Sequence, residues 1–491
     1  MRLKYVASAL YIVFLFFSIL LALPVIVSLV YKENTVLPFV VSAVISLLIS
    51  LIFKLLSQKD AEKDKTKFEK FNDLKKSEGL GIVVFAWVIA GILSSIPYLF
   101  FGFNPINSFF EGVSGITATG ATIFTTYDLP KALIFWRSFS QWIGGAGIIV
   151  LFIAILPQFA VVGRQLFFAE APGPTEEKIT PRIKHTAMAL WKIYLGLTIL
   201  EIILLSSFGM NVFDAICNSL STVSCGGFSP NSESIMGYGS NIICWIIMIF
   251  IFLSGANLNL QYVALTKFKP QLLFKSEEFR AYTLVFLGIS TIVGLSLFFK
   301  DKMSVVDSIT QSMFQVISLM TSTGSVTSDY SNWDFTSKVL LFIAMLTGGC
   351  ASSTSGGIKI SRWILLFKTM KVEMKKMLHP NAVIITKLDN TIVSKEILGQ
   401  LVIFVFFYFF IAGVSMLLIT LIEHNVTIGI SSSISAIGNI GPAFGNIIGP
   451  MGSYDTLNPV SKFILTANMF IGRLELIPFL IICQKEVWSR G

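Results

Sequence analysis

The sequence Ser-Gly-Ile-Thr-Ala-Thr-Gly at residues 114–120 decides how the chain is interpreted, because it returns three times in altered form. The later copies read Ser-Leu-Ser-Thr-Val-Ser-Cys-Gly at 219–226, Ser-Leu-Met-Thr-Ser-Thr-Gly at 318–324 and Ser-Ser-Ile-Ser-Ala-Ile-Gly at 432–438. The copies lie roughly 100 residues apart, which exceeds the 20–50-residue period of a solenoid. The spacing indicates one larger unit that is repeated four times.

The composition of the chain is that of a membrane protein. Of its 491 residues, 54% are hydrophobic and 13% are charged, whereas soluble domains carry about 25% charged residues. The sequence predicts an all-α integral membrane protein with about ten transmembrane helices, because ten apolar runs have about the 20 residues that cross a bilayer. The runs fall at 5–30, 36–57, 80–103, 134–156, 187–209, 241–265, 281–299, 337–368, 395–422 and 459–483.

Four shorter, half-apolar stretches lie between these runs and have the length of re-entrant segments. They fall at 105–119, 211–225, 305–323 and 426–437. A plain loop or small-residue helix packing would explain any single copy. Four copies at matching places favour four helix–pore loop–helix repeats around a pseudo-fourfold pore, with the internal symmetry that transporters use.

The predicted units follow from this pattern. Residues 1–78 hold two N-terminal transmembrane helices and a basic cytoplasmic linker, and no separate soluble domain is predicted. The four pore repeats are assigned to 79–157, 158–266, 267–380 and 381–491. The third repeat contains an additional intramembrane loop, described below.

Basic residues cluster in the connections, as at 58–78, whereas segment 226–241 contains no Lys or Arg. By the positive-inside rule the basic side is cytoplasmic, although Lys300 and Lys302 fall on the predicted outer side. This orientation places both termini in the cytoplasm and brings the four re-entrant segments in from outside. The net charge of +9 is therefore explained by basic cytoplasmic connections rather than by nucleic-acid binding.

The repeated motif suits the binding of a dehydrated cation. A helix C-terminus carries a partial negative charge, and backbone carbonyls after it can replace the water shell of a monovalent ion. Glycine at the turning point permits backbone angles that a side chain forbids. The predicted filter residues are Thr117, Ala118, Thr119 and Gly120; Ser224, Cys225 and Gly226; Ser322, Thr323 and Gly324; and Ala436, Ile437 and Gly438.

A second unusual stretch, Gly-Gly-Cys-Ala-Ser-Ser-Thr-Ser-Gly-Gly at 348–357, interrupts an apolar run. It predicts an unwound turn at mid-membrane depth, either as a movable element or as a kink packed by small residues. It is not a phosphate loop, because Ile358 separates Gly357 from Lys359.

Arg473 lies within the last apolar run, where a guanidinium is costly and marks a functional site by default. The alternative is a structural pair with Glu475. Residues two apart do not share a helix face, so the functional interpretation is favoured.

These motifs occur together with Trp-Ile-Gly-Gly-Ala-Gly at 142–147, Ser-Gly-Ala-Asn-Leu-Asn-Leu at 254–260, Leu-His-Pro-Asn-Ala-Val at 378–383 and Gly-Arg-Leu-Glu at 472–475. Over about residues 79–483 the chain resembles the Trk/Ktr/HKT superfamily of potassium transporters, and it is most similar to the TrkH branch. The extra helix pair before residue 60 also fits that branch.

The resemblance implies several properties. Gly348, Gly349, Gly356 and Gly357 would belong to an intramembrane loop that obstructs the pore beneath the filter and moves to open it. Arg473 would project into the pore at the same level. The transported ion would be K+, with no permanently bound cofactor. The partners would be a second copy of the chain, a cytoplasmic nucleotide-binding subunit of the TrkA type and the lipid of the cell inner (plasma) membrane.

The predicted function is therefore potassium uptake through a gated, K+-selective pore, and not catalysis. An intramembrane enzyme would need a nucleophile–base pair or a carboxylate cluster at mid-membrane, which the sequence does not offer. A secondary carrier usually shows a twofold repeat. Sodium conduction and ion-coupled transport, such as K+/H+ or K+/Na+ symport, remain alternatives. Sodium-selective plant members of the superfamily carry serine at the position of Gly120.

Overall fold

Backbone polar groups inside a bilayer must bond within their own segment, so long apolar runs are expected to fold as helices. The computed structural model of the chain describes residues 3–58, 76–147, 182–381, 384–389, 391–474, 478–479 and 484–489, and in them six helices are long and apolar enough to cross a membrane. Two form an N-terminal hairpin, Leu3–Val30 and Val36–Gln58. We call the other four outer helices 1 to 4: Lys76–Leu99, Arg182–Ser207, Glu277–Phe299 and Lys395–Glu423.

Each outer helix is followed by a helix too short to span the bilayer. These pore helices 1 to 4 are Pro105–Ile116, Val212–Val223, Val305–Met320 and Val426–Gly438. All four begin at a side chain that accepts a backbone N–H of the first turn, the usual role of an N-cap residue. The caps are Asn104, Asn211, Ser304 and Asn425. The pore helices confirm the predicted re-entrant segments.

A third helix completes each repeat. These inner helices 1 to 4 are Lys131–Gly145, Asn241–Gly255, Phe335–Thr347 and Pro459–Arg473. They are the first parts of four predicted spans, and each has only 13–15 residues. Inner helix 2 is followed, after a bend of 100°, by the helix Leu258–Thr266. Inner helix 3 is followed by an irregular stretch and the helix Ile360–Leu378.

The remaining described elements are small. They comprise the helices Gln271–Lys275 and Lys485–Ser489 and three 3-10 turns, Met236–Tyr238, Tyr330–Asn332 and Tyr454–Thr456. Strands Lys387–Leu388 and Thr391–Ile392 pair antiparallel, with Lys387 opposite Ile392. Most of the predicted basic linker, residues 59–75, and also Glu475, lie outside the described residues.

The repeats are arranged in a closed circle. Inner helix 1 packs on pore helix 2, inner helix 2 on pore helix 3 and inner helix 3 on pore helix 4. Inner helix 4 packs on pore helix 1 and closes the circle. One apolar core joins the N-terminal hairpin to repeats 1 and 4, and another joins repeats 2 and 3. This order confirms the predicted pseudo-fourfold architecture.

Small residues allow the pore helices to approach their neighbours closely. A Cβ added to Gly112 in pore helix 1 would lie 2.6–2.8 Å from the Cα, N and Cβ atoms of Ser95 in outer helix 1. Real Cβ atoms essentially never approach so closely, and the obstructing atoms are mostly backbone. The contact therefore fixes the distance between these two helices.

We predict that Gly112→Ala lowers the free energy of unfolding by about 1–3 kcal/mol, because the helices must separate. The measurement is thermal unfolding of the purified protein in detergent. The matched control is Gly196→Ala in outer helix 2, where no described atom lies within 4 Å of the added Cβ. The control should be neutral or stabilising by up to about 1 kcal/mol. Equal melting temperatures for both variants would contradict the packing described.

Candidate ion pathway

The chain leaves every pore helix through the same turn. Four residues adopt the left-handed conformation, with φ between 51 and 58°. These are Ala118, Cys225, Ser322 and Asn439. The following residue donates its N–H to a serine carbonyl five positions earlier in all four copies. The serines are Ser114, Ser221, Ser318 and Ser435. These shared hydrogen bonds align the repeats residue by residue.

This alignment corrects the predicted register in repeats 2 and 4. Two residues after the left-handed position each copy has a glycine with φ between 75 and 99°. These ring glycines are Gly120, Gly227, Gly324 and Gly441. Gly226 instead matches Thr119. Ala436, Ile437 and Gly438 are the last three residues of pore helix 4. The prediction aligned the repeats on the first glycine of each motif, whereas the backbone aligns them on the serine hydrogen bond.

We therefore define four candidate filter segments, called filter segments 1 to 4, as residues 117–120, 224–227, 321–324 and 438–441. They contact one another in a ring. A Cβ added to each ring glycine would overlap a carbonyl oxygen of the next segment. The pairs are Gly120 with Gly226, Gly227 with Thr323, Gly324 with Ile440, and Gly441 with Thr119. The fourth segment thus closes on the first, and only glycine allows this approach at a positive φ.

Segments 1 and 3, which lie opposite each other in this order, are held by threonine pairs. The Thr117 and Thr119 hydroxyl oxygens are 2.7 Å apart, and those of Thr321 and Thr323 are 2.8 Å apart. Thr117 and Thr321 also donate to a carbonyl in the last turn of their pore helices. The hydroxyls therefore fix the two segments from within.

Segments 2 and 4 are held by amide side chains. Gln141 of inner helix 1 donates to the Gly226 carbonyl at 2.6 Å. Its own oxygen accepts from the Ser221 hydroxyl of pore helix 2 and from the Phe228 N–H, just after segment 2. Asn439 donates to the Thr119 hydroxyl at 2.9 Å and to the Met469 carbonyl at 3.0 Å. Both amides join neighbouring repeats, so they stabilise the ring rather than a single segment.

A buried ion pair lies behind segment 1. The Arg137 Nε atom is 2.9 Å from the Glu111 carboxylate, and both side chains are at most 1% exposed. The carboxylate also accepts from the Ile123 N–H at 2.9 Å. The guanidinium lies about 4 Å from the ring centroids of Phe124 and Phe228. Ile123 and Phe124 follow filter segment 1 in the chain, and Phe228 follows filter segment 2. The ion pair therefore anchors segments 1 and 2 to pore helix 1 and inner helix 1.

Residues 348–359, which we call the intramembrane loop, lie against the pore-helix end of the filter. The Thr354 hydroxyl is 3.1 Å from the Cys225 sulfur and donates to the Val223 carbonyl at 3.0 Å. The Gly356 N–H donates to the Ser322 hydroxyl at 2.6 Å. A Cβ on Gly356 would overlap the Gly438 carbonyl. The loop thus contacts filter segments 2, 3 and 4.

The other side of the loop is anchored to repeats 2 and 3. The Cys350 N–H donates to the Gly255 carbonyl at 2.8 Å, and the Ala351 N–H donates to Glu278 at 2.6 Å. The loop also closes on itself, since Ile360 donates to the Gly349 carbonyl at 2.9 Å. Gly348 and Gly357 have φ of 66 and 70°. The predicted unwound turn is therefore a folded loop with defined contacts.

Arg473 connects the loop to repeat 1. Its guanidinium donates to the Thr354 carbonyl at 3.2 Å and to the Gly145 carbonyl at 3.0 Å, and it contacts the Gly144 carbonyl at 2.5 Å. A cavity of about 100 Å³, with room for a few water molecules, is lined by Arg473, loop residues 352–357 and the end of inner helix 1. The loop therefore lies between the filter segments and this cavity.

Fold and site together define a multi-pass membrane protein in which four pore repeats surround a ring of backbone carbonyls. A family model described as cation transport protein, TrkH, matches residues 42–490. The chain belongs to the TrkH family of cation transport proteins. This membership confirms the predicted transport class in place of an intramembrane enzyme.

Individual relatives agree with the family. The Trk system potassium uptake protein TrkH of Salmonella typhimurium is 38% identical over 422 residues, which are 85% of this chain and 87% of that protein. The protein of the same name from Vibrio parahaemolyticus is 33% identical over 481 residues, 96% of each chain. The crystal structure of the potassium transporter TrkH from Vibrio parahaemolyticus superimposes with a TM-score of 0.86 at 30% identity, covering 99% of this chain and 100% of that one.

The sequence prediction missed the ring glycines Gly227 and Gly441 and the amide Gln141. It also missed three further residues of the segments, Thr321, Asn439 and Ile440. A signal for the two glycines existed, because a serine stands six residues before every ring glycine. Gln141 had no comparable signal, since its partners lie in the next repeat.

We predict that Gly441→Ser weakens discrimination between K+ and Na+ by about tenfold. A serine at this positive φ would strain the backbone by about 1–3 kcal/mol, and its Cβ would overlap the Thr119 carbonyl of the ring. The measurement is the ratio of Rb+ to Na+ flux in reconstituted vesicles. Gly438→Ser is the matched control, since the atoms nearest its added Cβ belong to side chains, Ile440 at 2.9–3.1 Å and the Tyr408 hydroxyl at 3.4 Å. The control should stay close to wild type. A loss of selectivity in Gly438→Ser alone would reverse the register correction.

We also predict that Glu111→Gln lowers the free energy of unfolding by about 3–5 kcal/mol, because Arg137 is left buried without its counter-charge. The control is Lys300→Met, which breaks a half-exposed pair with Asp334 at 2.9 Å and should cost about 1 kcal/mol or less. Thermal unfolding in detergent compares the two. Similar losses would show that the buried pair is not a structural anchor.

Proposed function

We propose that this chain takes up potassium across the cell inner (plasma) membrane through a gated, K+-selective pore. The observation that carries the proposal is the closed ring of four glycine–carbonyl contacts. Backbone and threonine oxygens gathered there can replace the water shell of a monovalent cation. The four pore helices end at this ring, and their C-terminal partial charges favour a positive ion.

The preference for K+ over Na+ has two supports. Glycine occupies all four ring positions, and a side chain at Gly120 would overlap the neighbouring carbonyl. The relatives from Salmonella typhimurium and Vibrio parahaemolyticus are named potassium uptake proteins. K+ is then the transported ion and is not a permanently bound cofactor.

The proposed filter consists of the four segments defined above. It keeps the predicted residues of segments 1 to 3, from Thr117 to Gly120, from Ser224 to Gly226 and from Ser322 to Gly324, and it adds Gly227 and Thr321. In segment 4 it takes residues 438–441 in place of Ala436 and Ile437. The repeats keep the predicted boundaries at 79, 158, 267 and 381.

The proposed gate is the intramembrane loop with Arg473. In the described state the loop is held against the filter by Thr354 and Gly356 and is tied to repeat 1 by Arg473. The guanidinium also places a positive charge on the path that a cation would follow. Movement of the loop away from Ser322 would open a path from the filter to the cavity. Inward flux would then be driven by the membrane potential, worth about 2.3 kcal/mol per charge per 100 mV.

The protein would act within a larger assembly. Its relatives are named as parts of a Trk system, and we propose a homodimer with a pore in each subunit. A cytoplasmic nucleotide-binding subunit of the TrkA type would control the loop. Both termini would be cytoplasmic, as the basic connections indicate.

Flux measurements in reconstituted vesicles test this function. K+, Rb+, Na+ and Li+ are compared, with a proton-sensitive dye inside the vesicles. We expect rapid K+ and Rb+ flux, little Na+ or Li+ flux and no proton signal linked to K+. Equal Na+ flux would contradict the selectivity. A proton signal that follows K+ would favour the ion-coupled alternative.

We predict that Arg473→Gln raises K+ flux in the absence of any regulatory subunit by roughly tenfold, because hydrogen bonds from a charged group contribute about 1.5–3 kcal/mol. The control is Lys371→Gln, on the exposed surface of the helix Ile360–Leu378. It should leave the flux unchanged. Unaltered flux in the Arg473 variant would rule out its role in holding the loop.

A further inference from the structure

Glu201 lies on the inward face of outer helix 2. It is 0% exposed, and it follows Tyr194 and Thr198 on one buried stripe. Ile199 and Ile203 on the other side are more than half exposed, as expected for lipid-facing residues. The chain thus places a carboxyl group inside the membrane-spanning protein, a position that is costly and marks a functional site by default.

Among the described residues, no hydrogen-bond donor lies within bonding distance, 3.5 Å, of either oxygen of the Glu201 carboxyl group. This differs from two other buried acids of the pore repeats: Glu111 is paired with Arg137, and Glu278 accepts the Ala351 N–H. An unpaired carboxylate in a dry site is strongly disfavoured. The group must therefore carry a proton unless a positive charge is brought near it.

Among the described residues, the helices packed around Glu201 supply no such charge. Outer helix 2 packs against pore helix 2, inner helix 2 and the helix Leu258–Thr266. In the described part of these helices the titratable groups are acidic, thiol or phenol: Asp214, Cys217, Cys244 and Tyr262. On neighbouring inner helices Arg137 is bound by Glu111, and Arg473 is bound to carbonyls. Lys192, on the same helix as Glu201, is exposed.

Glu201 is directed towards the base of filter segment 2. Outer helix 2 packs on pore helix 2, and the Thr222 hydroxyl in the last turn of pore helix 2 faces the carboxyl group from beyond hydrogen-bond distance. The Thr222 carbonyl accepts the N–H of Cys225 at 3.0 Å, and the Cys225 side chain contacts the intramembrane loop at Thr354. A negative charge on Glu201 would therefore act on filter segment 2, and on the contact between Cys225 and Thr354, through the last turn of pore helix 2.

We propose that Glu201 is a proton-binding site whose charge tunes cation binding in the filter. The inference rests on the proposed potassium function. A cation in the filter is attracted to the ionised carboxylate across a medium of low dielectric constant, and so favours loss of the proton. By reciprocity, loss of the proton strengthens cation binding by the same factor. The affinity for K+ should therefore rise with pH.

The test measures the Rb+ concentration that gives half-maximal flux, as a function of pH, in wild-type vesicles and in Glu201→Gln. The wild type should show an affinity that increases several-fold, on the order of 5- to 10-fold, with rising pH. Glu201→Gln should show a flat profile near the low-pH value of the wild type. The matched control is Glu396→Gln, at the exposed start of outer helix 4, which should follow the wild type.

A second measurement does not depend on the variant folding. Infrared difference spectra of the wild type on adding Rb+ should show loss of a protonated carboxyl band, and Glu201→Asp should shift that band. No Rb+-sensitive band, or a wild-type pH profile in Glu201→Gln, would overturn the inference while leaving potassium transport intact. Absence of Rb+ flux in the wild type would overturn the proposed function and this inference with it.

Discussion

The structure depends on the contact between each ring glycine and a carbonyl oxygen of the next repeat. A side chain at any of the four positions would push two repeats apart, and the left-handed backbone adds a second reason for glycine. The other shared features of the repeats hold the filter segments in the positions that this contact requires. N-caps fix where each pore helix begins, serine carbonyls fix the turn that follows, and each inner helix packs on the next pore helix to close the circle.

The four repeats are alike in backbone but not in side chains, and the differences carry the proposed chemistry. Threonine pairs hold segments 1 and 3, whereas Gln141 and Asn439 hold segments 2 and 4. Only in repeat 3 does the described chain contain the intramembrane loop. The symmetric ring of backbone carbonyls suits a spherical ion. The asymmetric placing of the intramembrane loop would allow the ring to be controlled from one side.

Much of this could be predicted from sequence, because a bilayer leaves few options. Apolar length identifies spans, and hydroxyl-rich motifs between them identified the four pore helices and the unwound loop. The register of segments 2 and 4 could not be obtained from the motifs, since Gly226 and Gly438 precede the ring glycines by one and three residues. The Glu111–Arg137 pair and the Gln141 bridge depend on contacts between elements far apart in sequence.

The central claim is that the ring of filter segments binds the transported ion. Anomalous diffraction from crystals grown in Rb+ tests it most directly. The account predicts Rb+ density surrounded by oxygens of Thr119, Gly226, Thr323 and Ile440 or their immediate neighbours, which K+ displaces and Na+ does not. Density found only outside the ring, or displaced equally by Na+, would contradict the account.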